Sequence, residues 1–256
     1  MGKIISFMNQ KGGVGKTTTC VNMSAYLATM NKKVLLIDID PQSNASSNLG
    51  FDKDAKRKTI YNVMVDEANI EDVVLDTKVE NLQIIPSSVD LAGAEIELVQ
   101  MNNREKVVRN ILDKVKDKYD YICIDCPPSL GLITVNALTA SDSVIIPIQC
   151  EYFALEGLSQ LMYTIKLIKK HLNADIDIDG VVLTMRDNRS NLGRQVADEI
   201  SKYFGNKLFE TSIPRNVKLA EAPSYGEPIV RYDGRCSGAK AYKALTDEFL
   251  NKQIKE

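Results

Sequence analysis

One short segment constrains this chain more than any other. Gln10–Thr18 reads QKGGVGKTT, directly after the apolar run Lys3–Met8 and directly before a helix-like stretch, Lys16–Thr29. Glycines at 12, 13 and 15 let the backbone curl, so that the amides of Lys11, Gly12, Gly13, Val14, Gly15 and Lys16 converge on one anion. The helix that follows adds its partial positive charge. This is the chemistry of a polyphosphate: Lys16 reaches the β- and γ-phosphates, the Thr17 hydroxyl ligates Mg²⁺, and Thr18 continues the first turn. The usual form of such a loop has glycine at position 10. Gln10 stands there instead, and the run opens with an additional lysine, Lys11. This is the deviant Walker A pattern, in which Lys11 points away from its own phosphates or crosses to a neighbouring site.

The rest of the chain alternates strand-like and helix-like runs. Strands are expected at Lys3–Met8, Lys33–Ile39, Asn81–Ile85, Tyr121–Asp125, Ser143–Ile148, Asp179–Thr184 and Lys207–Ile213. Helices are expected at Lys16–Thr29, Arg104–Lys118, Gly131–Ala140, Leu155–Leu172, Leu192–Phe204 and Ala239–Lys252, with short helices in the less regular stretches 41–80 and 86–103. Continuous Val/Ile/Leu runs mark strands covered on both faces. Strand–helix alternation predicts an α/β fold: a doubly wound, mostly parallel sheet flanked by helices. No linker or repeat divides the sequence, so residues 1–256 read as one domain.

Two acidic strand ends complete the candidate site. IDIDPQSNA puts Asp38 and Asp40 at the end of the second strand, and YICIDCPPS puts Asp125 at the end of a later one. Ligands bind at such carboxyl edges in open α/β sheets. Asp38 and Asp125 are candidates to hold the hydration shell of Mg²⁺ with Thr17.

Net charge is −2, so any contact with nucleic acid must rest on a local patch. Arg186, Arg189 and Arg194 cluster in MRDNRSNLGR, and Arg215, Lys218, Arg231 and Arg235 follow. Five cysteines, an odd count with no signal peptide, suit a reducing cytoplasm. Cys123 and Cys126 lie on and after an apolar strand and read as packing residues. The lone histidine, His171, reads as a cation at a helix end, and one histidine builds no triad or metal cluster.

These motifs name a family. KGGVGKTT, LLIDIDPQSNA, YDYICIDCPPSLG, PIQCEYFALEGLSQL and IPRNVKLAEAPSYG, spread from Lys3 to about Lys243, resemble the ParA/Soj chromosome-partitioning ATPases, within the wider class that includes MinD and the nitrogenase iron protein. The resemblance implies an ATP·Mg²⁺ sandwich homodimer. Lys11 of each subunit would reach the other's phosphates, Gly12 would lie where the two loops meet, and Asp40 would position the attacking water. Adenine would rest near Met185 and Pro214, Arg215 and Asn216. The dimer would bind double-stranded DNA without sequence preference, through residues such as Arg186, Arg189, Arg194, Lys218 and Arg235. A ParB/Spo0J-type centromere-binding partner would stimulate an otherwise slow hydrolysis, in the cytoplasm and on the nucleoid. With only Met1–Gly2 before the first strand, the extra N-terminal DNA-binding domain of some plasmid relatives is not expected.

The nearest alternative is a MinD-like positioning switch at the membrane. It would need a basic amphipathic tail, whereas YKALTDEFLNKQIKE carries Asp247, Glu248 and Glu256 and reads as a closing helix. No run of apolar residues is long enough to span a bilayer, and no membrane partner is expected. A nitrogenase-type reductase would need cluster-bridging cysteines, and a tyrosine kinase a C-terminal tyrosine cluster. A module that holds ATP and scarcely turns it over stays open as a further alternative.

Overall fold

The first strand, β1 (Lys3–Phe7), sits inside the sheet because each of its side chains from Ile4 to Phe7 is apolar or small and buried. The computed structural model describes residues 2–53, 55–151, 154–187 and 191–254. The other strands are β2 (Val34–Asp38), β3 (Leu75–Asp76), β4 (Leu82–Ile85), β5 (Tyr121–Asp125), β6 (Ser143–Gln149) and β7 (Asp177–Thr184). They form one sheet in the order β3-β4-β2-β5-β1-β6-β7, parallel throughout except for the edge pair β3–β4. From β1 the chain passes to β2 on one side, and from the adjacent β5 it passes to β6 on the other, so the carboxyl ends of β1 and β5 mark a topological switch point, where a crevice opens.

The helices are α1 (Lys16–Thr29), α2 (Asn44–Asn48), α3 (Ile60–Met64), α4 (Leu91–Leu98), α5 (Val107–Leu112), α6 (Leu132–Ala140), α7 (Ala154–His171), α8 (Asn191–Phe204), α9 (Val217–Glu221), α10 (Ile229–Tyr232) and α11 (Ser237–Gln253). They cover both faces. Leu35, Ile37, Ile122, Ile124, Val144 and Ile146 point into a core shared with α3 to α8. Their neighbours Val34, Leu36, Cys123 and Ile145 point into a core shared with α1 and α11. Successive residues alternate between two buried faces, which is why the strands read as unbroken apolar runs. Each fully buried side chain of this size contributes about 1.5–3 kcal/mol. Cys123 and Cys126 are wholly buried, and burial pushes both thiols up to about 12, as expected of packing residues.

Two expectations need correction. Lys207–Ile213 is not a strand. It forms no continuous ladder with β7: Val181 bridges to Leu208, and Arg186 to Pro214 just past the two segments, because the Thr211 amide that would continue the ladder bonds, with that of Glu210, to the Glu248 carboxylate instead. Arg104–Lys118 is not one helix. α5 is flanked by 3-10 turns at Arg104–Lys106 and Lys116–Lys118, and the Asn136 side chain ties the first turn down by accepting from Val108 N–H and donating to Arg104 O. Finally, the antiparallel strand β3 is too short to carry any sequence period.

Candidate functional site

Parallel register sets the site. Asp38 pairs with Asp125, and Asp125 with Phe7, so both carboxylates stand level with the end of β1 where the glycine loop begins. Gly13 and Gly15 take positive φ, 74° and 85°. Gly15 is the N-cap of α1 and no side chain caps that helix, so the first-turn amides face the loop. Three side chains hold the loop. Thr184 Oγ1 donates to Val14 O at 2.7 Å. Asn9 donates to Pro147 O at 2.7 Å and accepts the Lys11 amide at 3.0 Å. Lys16 Nζ donates to Lys11 O at 3.2 Å, across the curl.

Lys16 is only 6% exposed. Burial lowers its pKa below the usual lysine value, against the pull of Asp125 and Asp40. Lys11 behaves differently: its ammonium points out of the loop and pairs with Glu151 at 2.5 Å. Gly12 is exposed, and a Cβ there would meet nothing within 4 Å.

The three aspartates differ in their bonding. Asp38 is fully buried, accepts the Asp40 amide at 3.1 Å, and takes both the amide and the hydroxyl of Ser46 at 2.8 Å. Burial still raises it to about 6. Asp40, at 6% exposure, accepts the Gln42 amide at 2.9 Å and lines the cavity. Asp125 is fully buried with neither carboxylate oxygen hydrogen-bonded. Burial and then Asp38 push its pKa well up; the nearby Thr17 hydroxyl, not bonded to it, and Lys16 act the other way. A buried carboxylate without a donor fits a hydrated cation held beside Thr17, since such a group is costly to leave unpaired. Among the described residues no group of three or more His, Cys, Asp or Glu side chains could hold a metal unaided.

Two adjoining hollows meet at this edge. The first, of about 390 Å³, is lined by Gly12, Gly13, Lys16, Thr17, Asp40 and Gln42 among others. The second, of about 260 Å³, shares Gly15, Thr18 and Met185 with it and continues to Ile213, Pro214, Arg215, Asn216, Leu219 and Tyr242. Met185 carries a positive φ of 50°, uncommon for a side-chain-bearing residue, as the chain turns off β7. The structure therefore brings together the loop, Asp40, Met185 and Pro214–Asn216. It adds Asn9, Gln42, Thr184, Pro128 and Pro223, which sequence reasoning did not single out. Only Thr184 had a legible signal, its place at a strand's carboxyl end.

The described basic residues are spread over several elements. Asn216 donates to Ser237 Oγ at 2.7 Å, which brings the starts of α9 and α11 together with Arg215, Lys218 and Arg235 around them. Lys218 is paired with Glu221 at 2.8 Å. Arg186 is half-buried at the end of β7. Arg194 lies on α8, which packs on the opposite face of the sheet from α11 and bonds Asn191. Arg189 lies outside the described residues, as do Tyr152 and Phe153 of the QCEYFALEGL segment and Glu256 of the tail. No described helix is long and apolar enough to cross a membrane.

Comparison with known proteins agrees with this geometry. A family model described as an AAA domain matches residues 2–178. The chain is 59% identical over 248 residues to the sporulation initiation inhibitor protein Soj of Bacillus subtilis strain 168, covering 97% of this chain and 98% of that protein. It is 51% identical over 250 residues to the chromosome-partitioning ATPase Soj of Treponema pallidum strain Nichols, covering 98% of each. Among solved structures, cobyrinic acid a,c-diamide synthase from Mycobacterium smegmatis, with a bound ATP analogue and magnesium, superposes with a TM-score of 0.88 at 31% identity, covering 99% of this chain and 96% of that one.

Proposed function

The chain belongs to the ParA/Soj family of chromosome-partitioning ATPases, and from that premise we propose that it is an ATP-gated dimer that holds DNA until hydrolysis releases it. ATP with Mg²⁺ is its ligand. The triphosphate lies in the Lys11–Thr18 loop, and the nucleoside lies in the hollow of Met185, Pro214, Arg215 and Asn216. Thr17, with Asp38 and Asp125 behind it, holds the cation, which when bound neutralises charge on the β- and γ-phosphoryl oxygens. Lys16, desolvated beside the loop, offsets charge that develops on the γ-phosphoryl group, and such electrostatic stabilisation usually dominates this kind of catalysis. Asp40, at the cavity wall, orients the attacking water.

The observation that carries this reading is the direction of Lys11. Its ammonium leaves its own loop and pairs with Glu151 at the rim, beside an exposed Gly12. A cation placed there is not needed by its own triphosphate and, once released from Glu151, can serve a second copy's. The paired subunits double whatever basic surface Arg186, Arg189, Arg194, Lys218 and Arg235 provide, so DNA affinity follows dimerisation. That affinity is blind to sequence and falls steeply with salt. A ParB/Spo0J-type partner accelerates a slow turnover, and the protein works in the cytoplasm, on the nucleoid. The tail helix supports DNA over membrane as the target, because α11 buries Tyr242, Leu245 and Phe249 against the sheet.

Co-sedimentation with DNA in ATP, in ADP and without nucleotide tests the proposal. DNA should carry the protein down in ATP alone, and less of it as salt rises. Equal sedimentation in ATP and ADP would refute the switch.

A further inference from the structure

The wall of the nucleoside hollow is set by a slip in register, and the slip has an identifiable cause. Past the turn that ends α8, the chain begins to pair with β7: Phe209 N–H donates to Val181 O at 2.9 Å. An uninterrupted parallel strand would next donate from Thr211 to Leu183 O, two residues further along each chain. Leu183 O instead receives the amide of Ile213, at 2.8 Å. Two additional residues are therefore looped out. The displaced Thr211 amide and its neighbour, the Glu210 amide, which in a strand would face away from β7, both donate to one carboxylate, Glu248 on α11, at 2.9 and 2.8 Å. Both ends of the slipped segment are anchored. Phe209 fills the space over Gly180, where a Cβ would lie 2.1 Å from its ring. Glu248 follows Leu245 and precedes Phe249, both fully buried. The slip places Ile213 beside Leu183 and Pro214 beside Arg186, so that Ile213, Pro214, Arg215 and Asn216 face Met185 across the hollow.

We propose that Glu248 is a positioning residue for the nucleoside half of the site: its carboxylate stands in for the missing ladder and fixes the register of Ile213–Asn216. The inference rests on reading the second hollow as the nucleoside pocket of the ATP site. Charge-assisted bonds to two amides hold such a bulge more firmly than solvent would. Without the carboxylate the segment loses its bulge or its order, and the wall moves while the phosphate loop stays in place.

The test is binding of two ligands, ATP and inorganic tripolyphosphate, each with Mg²⁺, measured by calorimetry on the full chain. Glu248→Ala should weaken ATP about tenfold and leave tripolyphosphate within about twofold. Glu248→Gln, which keeps an acceptor oxygen, should fall between wild type and Glu248→Ala, and it carries the test if the alanine variant folds poorly. Lys243→Ala removes an exposed ion pair on the same helix, with Asp247 at 2.8 Å, and should leave both affinities near wild type. Unchanged ATP affinity in Glu248→Ala, equal loss of both ligands, or the same ATP loss in Lys243→Ala would each overturn the positioning role. If wild type itself binds tripolyphosphate as tightly as ATP, the nucleoside reading of the hollow fails, and the role of Glu248 fails with it.

Discussion

Lys11 Nζ lies 2.5 Å from the carboxylate of Glu151, two residues beyond the end of β6, in the same chain. The other polar groups of Lys11 are also engaged internally: its amide donates to Asn9 and its carbonyl accepts from Lys16. In the single chain this lysine is parked. To reach a second copy's phosphates it must leave Glu151. Both side chains are partly exposed, so the pair is worth about 0.2–1 kcal/mol. A symmetric dimer releases two such pairs, so Glu151→Gln should lower the protein concentration for half-maximal ATP-dependent dimerisation by about two- to thirtyfold at low salt, with the difference fading as salt screens the pair. Sedimentation velocity across a salt series reads this directly. A dimer weaker than wild type would mean that Glu151 serves the assembled form.

Two glycines should respond oppositely to a side chain. Gly226 has φ of 61°, and a Cβ there would lie 2.5 Å from Gly50 Cα, against backbone that cannot yield. Gly226→Ala should cost about 1–3 kcal/mol of stability. Gly12 has open space around it. Gly12→Val should leave the melting temperature and ATP binding of the monomer near wild type and abolish the ATP-dependent dimer. Thermal unfolding and gel filtration of the two variants side by side separate a packing glycine from an interface glycine.

Asp40→Ala should retain ATP-dependent dimerisation and DNA retention and lose about 10²–10⁴-fold in turnover, as when a positioned proton acceptor is removed. Phosphate release in the presence of DNA and the stimulating partner is the measurement. Turnover near wild type would remove Asp40 from its assigned role.

Lys16→Ala should weaken ATP by about tenfold or more, since a charge-assisted contact in a desolvated loop is lost. The ATP-dependent dimer should disappear at concentrations where wild type forms it. An unchanged dimer peak would show that the triphosphate is held elsewhere.

Asp38 couples stability to pH. Its folded-state pKa of about 6 lies above the ordinary 3.8, mainly through burial. The folded chain then keeps a proton that the unfolded chain releases. The resulting stabilisation is fully present below about pH 4 and is lost as pH rises through about 6. Denaturant unfolding without nucleotide should show this decline in wild type and a flatter one in Asp38→Asn. The slope is the readout, since the substitution also disturbs the bonds from Ser46 and the Asp40 amide. Equal slopes would count against it.

Much of the site was legible because it is local. A glycine-rich turn between a strand and a helix is read from adjacent residues, and α1 and β5 begin and end where periodicity put them. Asp38, Asp40 and Asp125 were found because each follows an apolar run at the sheet's carboxyl edge. The nucleoside wall was reached through resemblance and not through pattern. The arginines illustrate the limit: of Arg194 and Arg235, grouped as one DNA surface in the sequence, the first stands on α8 and the second in the turn before α11, and those two helices cover opposite faces.

By itself the sequence determined which segments are strands buried on both sides, where a polyphosphate can be cradled, and that the chain is a doubly wound sheet. Period and loop chemistry act over a few residues and need no partner. Tertiary structure decided what meets across long separations: Asp38 beside Asp125, Thr184 on Val14, Lys11 on Glu151, and Glu248 taking the Thr211 amide that would have continued Lys207–Ile213 as a strand. Backbone amides bond to whichever acceptor the fold presents. A carboxylate from a distant helix can thus displace a ladder that local propensity favours, and the register it imposes is written in no single stretch of the chain.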